Sequence, residues 1–170
     1  METLFSFRSP SPAGTLFLAA SEKGLVRLEF EGRMQEIDPA ATRLQESKEV
    51  LAPYLRELDE YFSGRRRAFS FPLDLRGTEF QLKCWRALLD IPYGETRTYR
   101  DIARGIGHPR AFRAVGMSNN RNPIAIVVPC HRVIASDGSL CGYGGGLDIK
   151  RKLLELEGAC FLKGSGTLAA

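Results

Sequence analysis

The sequence contains few of the residues that bind metals. Its 170 residues include 2 histidines and 4 cysteines, and no two cysteines have the Cys-x-x-Cys spacing that is typical of a zinc site. We therefore predict that the protein holds no metal and needs no cofactor. The same spacing favours free thiols, which persist in a reducing compartment. We accordingly predict a cytoplasmic protein, or a nuclear one if the source is a eukaryote.

Long hydrophobic runs are also missing. No apolar run approaches the roughly 20 residues of a membrane-spanning helix, and the first residues lack the charged-then-apolar layout of a secretory signal. We predict no association with a membrane. Apolar residues still make up 44% of the chain, which is enough to build a packed core.

Negative charge is scarce in one part of the chain. The net charge of +4 is by itself a weak indication of a polyanionic partner. Between residues 93 and 121, however, only Glu95 and Asp101 oppose a group of arginines, which are Arg97, Arg100, Arg104, Arg110, Arg113 and Arg121. This distribution says more about a partner than the total charge does.

The first part of the chain contains no group of residues that suggests chemistry. Short apolar runs separated by turn signals predict four strands, over 3–7, 15–20, 25–30 and 69–75. An apolar stripe at helical spacing predicts one helix, over 42–62. The character of the sequence changes at Gly77. We therefore predict an N-terminal α/β supporting domain over 1–76 and a second, C-terminal domain over 77–170.

Two capping signals mark the helices that follow. Thr78 with Gln81 has the spacing of a capping box and predicts a helix over 79–90. Thr98 with Asp101 repeats the signal and predicts a short helix that runs from residue 99 to residue 104.

A third helix completes a predicted helix-turn-helix, because a glycine-containing turn separates it from the second. We expect it over 110–119, with Pro109 in the first helical position. Arg110 and Arg113 share one face of this helix. These residues suit contact with DNA, and they suit equally well a charged solvent face on an ordinary helical pair.

A cysteine and a histidine are adjacent in IVVPCHRVI, at the end of an apolar run that we predict to be a buried strand. A thiol with a pKa of about 8.5 needs a base before it acts as a nucleophile. Successive side chains of a strand point to opposite faces. His131 therefore serves Cys130 only if the backbone turns sharply or a water molecule relays the proton. The structural alternative is that Cys130 is a small hydrophobe and His131 is incidental.

A C-terminal helix offers a residue that could orient His131. In LDIKRKLLELEG we predict Asp148 as the N-cap and Gly158 as the stop, and Lys150 and Glu157 then lie along one side of the helix. A buried carboxylate requires a partner, and an imidazole is a suitable one. The spacing alone favours the other interpretation, an exposed glutamate and lysine on a charged helix.

Several stretches of the sequence resemble one family. NPIAIVVPCHRVI, GSLCGYGGG and KRKLLELEG, together with FQLKCWRALLDIPYGETRTY and GHPRAFRAVG, closely resemble the methylated-DNA–protein-cysteine methyltransferases, the O6-alkylguanine-DNA alkyltransferases. The resemblance covers residues 77–158 and implies that the C-terminal domain, over 77–170, is the DNA-binding and alkyltransferase domain. It implies an α+β fold, with an N-terminal ribonuclease-H-like β-meander plus helix domain and a C-terminal winged-helix-like domain that contains the helix-turn-helix.

The resemblance also implies a reaction, the stoichiometric transfer of an alkyl group to the protein itself. Cys130 would take the group from O6-alkylguanine, and from O4-alkylthymine, in duplex DNA, and would not be regenerated. His131 would take the thiol proton through a water molecule, and Glu157 would orient the imidazole. Asn122 would brace the turns before the active-site strand, as structural support.

A pocket for the extruded guanine follows from the same resemblance. The Tyr99 hydroxyl, the Lys150 ammonium and a backbone N–H near Gly144 would donate hydrogen bonds to the leaving group. The pocket would be completed by the backbone carbonyls of Cys130 and Val133, which would read the exocyclic amine, and by the ring of Tyr143.

Duplex DNA carrying an alkylated guanine is the implied partner, bound by a monomer, with cooperative packing along the DNA left open. The helix-turn-helix would enter the minor groove, where a small residue such as Ala111 permits close approach. Arg113 would fill the gap left by the flipped nucleotide, and Arg110 and Arg100 would also contact the DNA. Phe112 is bulkier than the residue that many relatives carry, which leaves the depth of the helix in the groove open.

Two other functions compete with this one. The first is a module that binds alkylated bases, or regulates genes, without transferring anything. The second is a cysteine hydrolase, which would also use a cysteine, a histidine and an acidic residue. A hydrolase needs an oxyanion hole and a groove for a peptide or ester, and the sequence contains no signal for either.

Overall fold

The computed structural model describes residues 1–163 and 167–169. The chain divides into two compact units. Unit 1 consists of Met1–Arg76 with Pro123–Ala125, and unit 2 of Gly77–Asn122 with Ile126–Ala170. Within the described residues, no helix combines the length and the apolar character that crossing a membrane requires.

Unit 1 is built on a four-stranded sheet. Strands β1 (Glu2–Ser9), β2 (Leu16–Ser21) and β3 (Gly24–Phe30) form the predicted antiparallel meander. A further strand, β4 (Thr42–Glu46), pairs in parallel with β1, and the order across the sheet is β3-β2-β1-β4. The residues of β2 are almost all buried, as expected for an inner strand covered on both faces.

The prediction of one helix over 42–62 was wrong at its start. Residues 42–46 are β4, and helix α1 (Lys48–Phe62) begins only after Ser47, whose side chain accepts a hydrogen bond from the backbone N–H of Val50. Leu44, which fits the helical stripe, is 41% exposed. Pairing with β1 satisfies the backbone of this segment, so tertiary contact overrides the local periodicity.

The strand predicted over 69–75 is also absent. The segment makes one isolated bridge, between Leu73 and Leu25. A proline at position 72 has no N–H to donate to a ladder, which limits regular pairing there.

Unit 2 contains the two capped helices as predicted. Helix α2 (Glu79–Leu89) and helix α3 (Tyr99–Gly105) each begin with a complete capping box, made by Thr78 with Gln81 and by Thr98 with Asp101. Between them lies strand β5 (Arg97–Thr98), which pairs in parallel with β6 (Val133–Ile134).

Helix α4 (Phe112–Asn120) follows α3 across a turn and completes the helix-turn-helix. It starts later than predicted: Pro109 and Arg110 lie in the turn, and Ala111 is the N-cap. The indole Nε1 of the buried Trp85, on α2, donates to the carbonyl of Ser118 on α4, at 2.9 Å. This hydrogen bond ties the helix-turn-helix to the core of its unit.

Helix α5 (Leu147–Leu156) carries the C-terminal side chains of interest. Its N-cap is Gly146, with φ of 97°, whereas the predicted cap, Asp148, lies in the first turn. Glu157 is the C-cap, and Gly158, the predicted stop, follows in the left-handed conformation with φ of 67°. Strands β7 (Phe161–Lys163) and β8 (Thr167–Ala169) form an antiparallel pair at the end of the described chain.

Candidate active site

The segment that leads to Cys130 is a compact turn, and the prediction of a buried strand there was wrong. Ile126 has φ of 70°, which is unusual for a β-branched residue. Cys130–Arg132 then form one turn of 3₁₀-helix, and β6 begins only at Val133. The backbone therefore turns sharply at the cysteine, one of the two conditions under which a neighbouring histidine could serve it.

His131 and Glu157 form a buried pair. The imidazole Nε2 lies 2.8 Å from Oε1 of Glu157, and both side chains are completely buried. An ionised carboxylate only accepts hydrogen bonds, so Nε2 carries the proton. The other nitrogen, Nδ1, is buried and has no hydrogen-bond partner among the described residues. It is therefore left as an acceptor inside the protein.

Arg132 is the member of this site that sequence reasoning missed. Its Nε donates to Oε2 of Glu157 at 2.8 Å and its Nη2 donates to Oε1 at 2.9 Å, so that the pair is bidentate. Its Nη1 donates to the carbonyl of Ile91 at 2.7 Å. The available signal was the position of Arg132 directly after the Cys-His pair, in an otherwise apolar segment where an unpaired arginine would be costly.

The charges of this cluster control one another. Burial raises the pKa of Glu157, but His131 and Arg132 outweigh burial, and the pKa lies well below its usual range. Burial lowers the pKa of His131; Glu157 opposes this shift, and Arg132 and Lys150 add to it. At neutral pH the site therefore combines an ionised carboxylate with a neutral imidazole, which is the form that accepts a proton.

The sulfur of Cys130 is buried, with 5% of the residue exposed. The amide Nδ2 of Asn122 lies 3.2 Å from this sulfur and also donates to the carbonyl of Val128 at 2.7 Å. Burial raises the pKa of the thiol, while Asn122 and the charge of Lys150 act in the opposite direction. Asn122 therefore does more than brace the turn, because it also contacts the sulfur of Cys130.

Lys150 and Tyr99 converge on a segment of the loop before α5. Lys150 Nζ donates to three backbone carbonyls, those of Val133 at 2.6 Å, Cys141 at 3.0 Å and Gly142 at 3.2 Å. The Tyr99 hydroxyl donates to the same Cys141 carbonyl at 2.8 Å. Burial lowers the pKa of Lys150 to about 8. The two predicted side-chain donors to guanine are thus engaged by backbone carbonyls, Tyr99 by Cys141 and Lys150 by Val133, Cys141 and Gly142.

Two other predicted pocket residues, Tyr143 and Gly144, lie on the same loop. Burial raises the pKa of Tyr143 well above its usual range, so its hydroxyl stays protonated. Gly144 is exposed, and a Cβ added there would lie 3.5 Å from the backbone oxygen of Asn120, an ordinary contact. A serine or alanine would fit at this position, so its glycine is not dictated by space.

The predicted DNA-binding residues lie outside the buried cluster, on α3, α4 and the turn between them. Arg100, Arg110 and Arg113 are exposed, and Ala111 is half-buried. The half-buried ring of Phe112 lies between two of these arginines, with the guanidinium carbons of Arg100 and Arg113 at 4.8 Å and 5.9 Å from its centroid. Phe112 thus turns towards the arginines and supports them.

A thiol near a histidine–glutamate pair is the arrangement of a nucleophilic cysteine enzyme, and comparison with known proteins identifies which kind. The ribonuclease-like domain of 6-O-methylguanine DNA methyltransferase matches residues 6–75. The DNA-binding domain of 6-O-methylguanine DNA methyltransferase matches residues 79–159. The chain therefore belongs to the 6-O-methylguanine DNA methyltransferase family, and the family and fold class predicted from the sequence are confirmed.

Individual relatives align with this chain along most of their length. The methylated-DNA–protein-cysteine methyltransferase of Methanosarcina barkeri is 54% identical over 147 residues, which are 86% of this chain and 92% of the relative. The crystal structure of Mycobacterium tuberculosis O6-methylguanine methyltransferase aligns with a TM-score of 0.80 at 47% identity, over 92% of this chain and 93% of that one. A structure of Mycobacterium tuberculosis OGT in complex with DNA aligns with a TM-score of 0.82 at 46% identity, over 90% and 92%.

Proposed function

We propose that this protein repairs alkylated DNA by moving the alkyl group from guanine O6 to its own Cys130. The protein is a methylated-DNA–protein-cysteine methyltransferase, as its relatives are named, and DNA is its partner. The observation that supports Cys130 as the acceptor is its place directly before His131 in one turn of 3₁₀-helix, where an ionised carboxylate holds the neutral imidazole. We further propose that it acts as a monomer on alkylated guanine in duplex DNA.

The transfer is a single displacement at carbon. His131 takes the thiol proton of Cys130 at Nδ1 through a water molecule, and Glu157 stabilises the imidazolium that forms. The thiolate attacks the alkyl carbon, a carbon–sulfur bond forms, and the bond between that carbon and O6 breaks. Its electron pair stays on the guanine, which leaves as the unmodified base after taking up a proton. The product is a thioether, so each chain reacts once.

The amide of Asn122 assists the first step. Burial holds the resting thiol in its protonated form, which keeps a nucleophile from reacting unproductively. Once the proton leaves, the nearby amide N–H and the charge of Lys150 stabilise the thiolate. Asn122 and Lys150 therefore act on the sulfur at the moment when it carries charge.

Admission of the base requires a movement near residues 141 and 142. Tyr99 and Lys150 are suited to stabilise the negative charge that develops on guanine, yet their donors are now engaged by the carbonyls of Cys141 and Gly142. An extruded guanine competes with these carbonyls for the same hydrogen bonds. When guanine binds, the donors of Tyr99 and Lys150 thus exchange the carbonyls of the loop for guanine, and neither donor is left unsatisfied.

The arginines of the helix-turn-helix bring the DNA to this site. Exposed guanidinium groups on α3, on α4 and in the turn between them provide phosphate contacts, which are independent of base sequence. Arg113 occupies the gap that the flipped nucleotide leaves in the stack. The cost of flipping, a few kcal/mol, is offset by these contacts.

Intact-mass measurement tests the proposal. After incubation with duplex DNA containing O6-methylguanine, we expect each chain to gain the mass of one CH₂ group, and peptide mapping to place it on Cys130. Cys130→Ala should gain nothing, and Cys160→Ala, which removes an exposed thiol beyond α5, should react as the wild type does. Tight binding without a mass change would support the binding module instead, and a methyl group on another residue would refute the role of Cys130.

A further inference from the structure

We propose that Arg132 is a positioning residue that keeps His131 neutral, by neutralising the carboxylate that holds the imidazole. This inference rests on the proposed function, since it assigns a task within the proton relay from Cys130. In the proposed reaction Arg132 contacts neither the sulfur of Cys130 nor the flipped guanine. It acts through Glu157.

The need for such a residue follows from the pair itself. A buried carboxylate 2.8 Å from an imidazole favours the imidazolium form, because opposite charges attract strongly away from water. An imidazolium has no free acceptor and takes no proton from a thiol. Glu157 alone would therefore orient His131 and at the same time disable it as a base.

Arg132 resolves this conflict through geometry. Its guanidinium shares both carboxylate oxygens of Glu157, at 2.8 Å and 2.9 Å, so the carboxylate still accepts from His131 while its charge is balanced. The direct effect of the arginine on the imidazole has the same sign, because both groups would be cations. Glu157 can then remain ionised without drawing a proton onto His131.

The guanidinium is held in place by the turn after α2. The Ile91 carbonyl accepts from Nη1 at 2.7 Å, and the Tyr93 ring lies 5.8 Å from the guanidinium carbon. A Cβ on Gly94, which has φ of 80°, would lie 3.0 Å from the backbone oxygen of Glu157. This turn therefore packs closely against both members of the ion pair, and little freedom is left to either.

Other charged and titratable groups also surround the imidazole. Lys150, on α5, lowers the pKa of His131 as well, and it is a weaker counterpart because its own pKa is about 8. Several groups from the elements around the relay act on it, namely Cys130 and Arg132 from the 3₁₀-helix, Lys150 and Glu157 from α5 and its C-cap, Tyr99 from α3 and Tyr143 from the loop before α5. Among these, Arg132 is the cation in contact with Glu157.

The pH dependence of the reaction with free O6-alkylguanine base separates this role from simple structural support. In Arg132→Met we expect the titration of His131 to move to higher pH by about one unit or more. Each unit of increase lowers the neutral fraction of His131 by at most tenfold, so the rate should fall by up to about tenfold near pH 6, by less at pH 7, and recover most of that loss towards pH 9. Arg132→Lys, which keeps the charge, should stay close to the wild-type profile. Arg151→Met, on the exposed side of α5, is the matched control and should change neither.

Titration of His131 by NMR tests the role of Arg132 without relying on alkyl transfer. The chain has 2 histidines, so in His108→Gln every histidine ring signal of the NMR spectrum belongs to His131. We expect Arg132→Met to raise the observed pKa of His131, and Arg132→Met combined with Glu157→Gln, which removes both charges, to lower it again. The double variant also covers the case in which the single one folds poorly.

Failure of the role proposed for Arg132 can be distinguished from failure of the proposed function. An equal loss of rate at every pH, with an unchanged His131 titration, would overturn the role of Arg132 and leave the proposed function intact. Absence of any alkyl group on Cys130 of the wild type would overturn the proposed function, while the NMR titration would still report on Arg132.

Discussion

The charged side chains around Glu157 are buried and paired with one another, whereas those on the face of α4 are exposed to solvent. His131, Arg132 and Glu157 are almost entirely removed from water and satisfy one another at 2.8–2.9 Å. Arg113 on α4 is exposed, as is Arg110 in the turn before it. A buried charge is costly unless it is paired, whereas an exposed one is cheap to keep and remains available to a partner.

The difference shows how one small unit separates chemistry from recognition. In the proposed mechanism, side chains of the buried cluster set the protonation state of the Cys130 sulfur, so their loss should reduce reaction with every substrate. The proposed role of the α4 face is limited to duplex DNA. Substitutions in the two places should therefore differ in kind as well as in size.

The largest effect on the transfer rate should come from replacing His131, the proposed general base. His131→Asn keeps a polar side chain of similar reach and removes the proton acceptor. We expect the rate of methyl transfer from the free base to fall by about 10²–10⁴-fold, the range that general base catalysis usually contributes. Single-turnover kinetics measure it, with His108→Asn as the control, and a loss below about threefold would contradict the relay.

Loss of the carboxylate should affect stability as well as rate. Glu157→Gln leaves Arg132 buried without its counter-charge, which costs about 3–5 kcal/mol of unfolding free energy. The folded pKa of Glu157 lies below its ordinary value of 4.5, so its stabilisation is complete above about pH 5 and is lost as the pH falls through 4.5 towards the folded pKa.

Urea unfolding from pH 7 to pH 3 checks this prediction. The difference between wild type and Glu157→Gln should be constant at the upper end and shrink below pH 4.5. Asp148→Asn, at the exposed start of α5, should change stability by less than about 0.5 kcal/mol. A difference that grows on acidification would show that the carboxylate is not ionised in the folded protein.

A smaller and more selective effect should follow from Arg113→Ala. If this side chain fills the gap in the stack, transfer from a fully paired duplex should fall about tenfold or more, because flipping costs a few kcal/mol. A lesion in single-stranded DNA has already left the stack, and the loss there should be several times smaller. Equal losses on the two DNAs would assign Arg113 to phosphate contact alone.

The smallest effect is expected from Phe112→Leu. This change removes the ring between Arg100 and Arg113 and keeps an apolar side chain, so duplex affinity should fall by about 0.5–1 kcal/mol. Phe112→Tyr, which retains the ring, should bind normally. A double-mutant cycle with Arg100→Ala tests the contact, and strict additivity of the two changes would show that Phe112 does not support the arginine.

Local signals predicted the helical part of unit 2 well. Both capping boxes form where Thr78 and Thr98 indicate, because a cap depends on residues three apart and on little else. The helix-turn-helix followed from these helices, although α4 begins after Ala111 and not at Pro109. Lys150 and Glu157 also share a side of α5, but that they are buried could not be read from their spacing.

The features that local signals missed depend on contacts between distant parts of the chain. Residues 42–46 form a strand because β1 offers a partner edge, which no local window contains. The apolar run before Cys130 has the composition of a strand but folds as a turn, with Ile126 strained by its surroundings. Arg132 reads as a surface charge until Glu157 and Ile91 are placed beside it.

The most direct test of a buried relay separate from an exposed DNA-binding face is the ratio of two rates, transfer from duplex DNA and transfer from the free base. It is measured in His131→Asn and in Arg113→Ala. We predict that His131→Asn lowers both rates by a similar factor and leaves the ratio unchanged. Arg113→Ala should lower the duplex rate alone and reduce the ratio about tenfold or more. Similar ratios in the two variants would contradict the separation of chemistry from recognition.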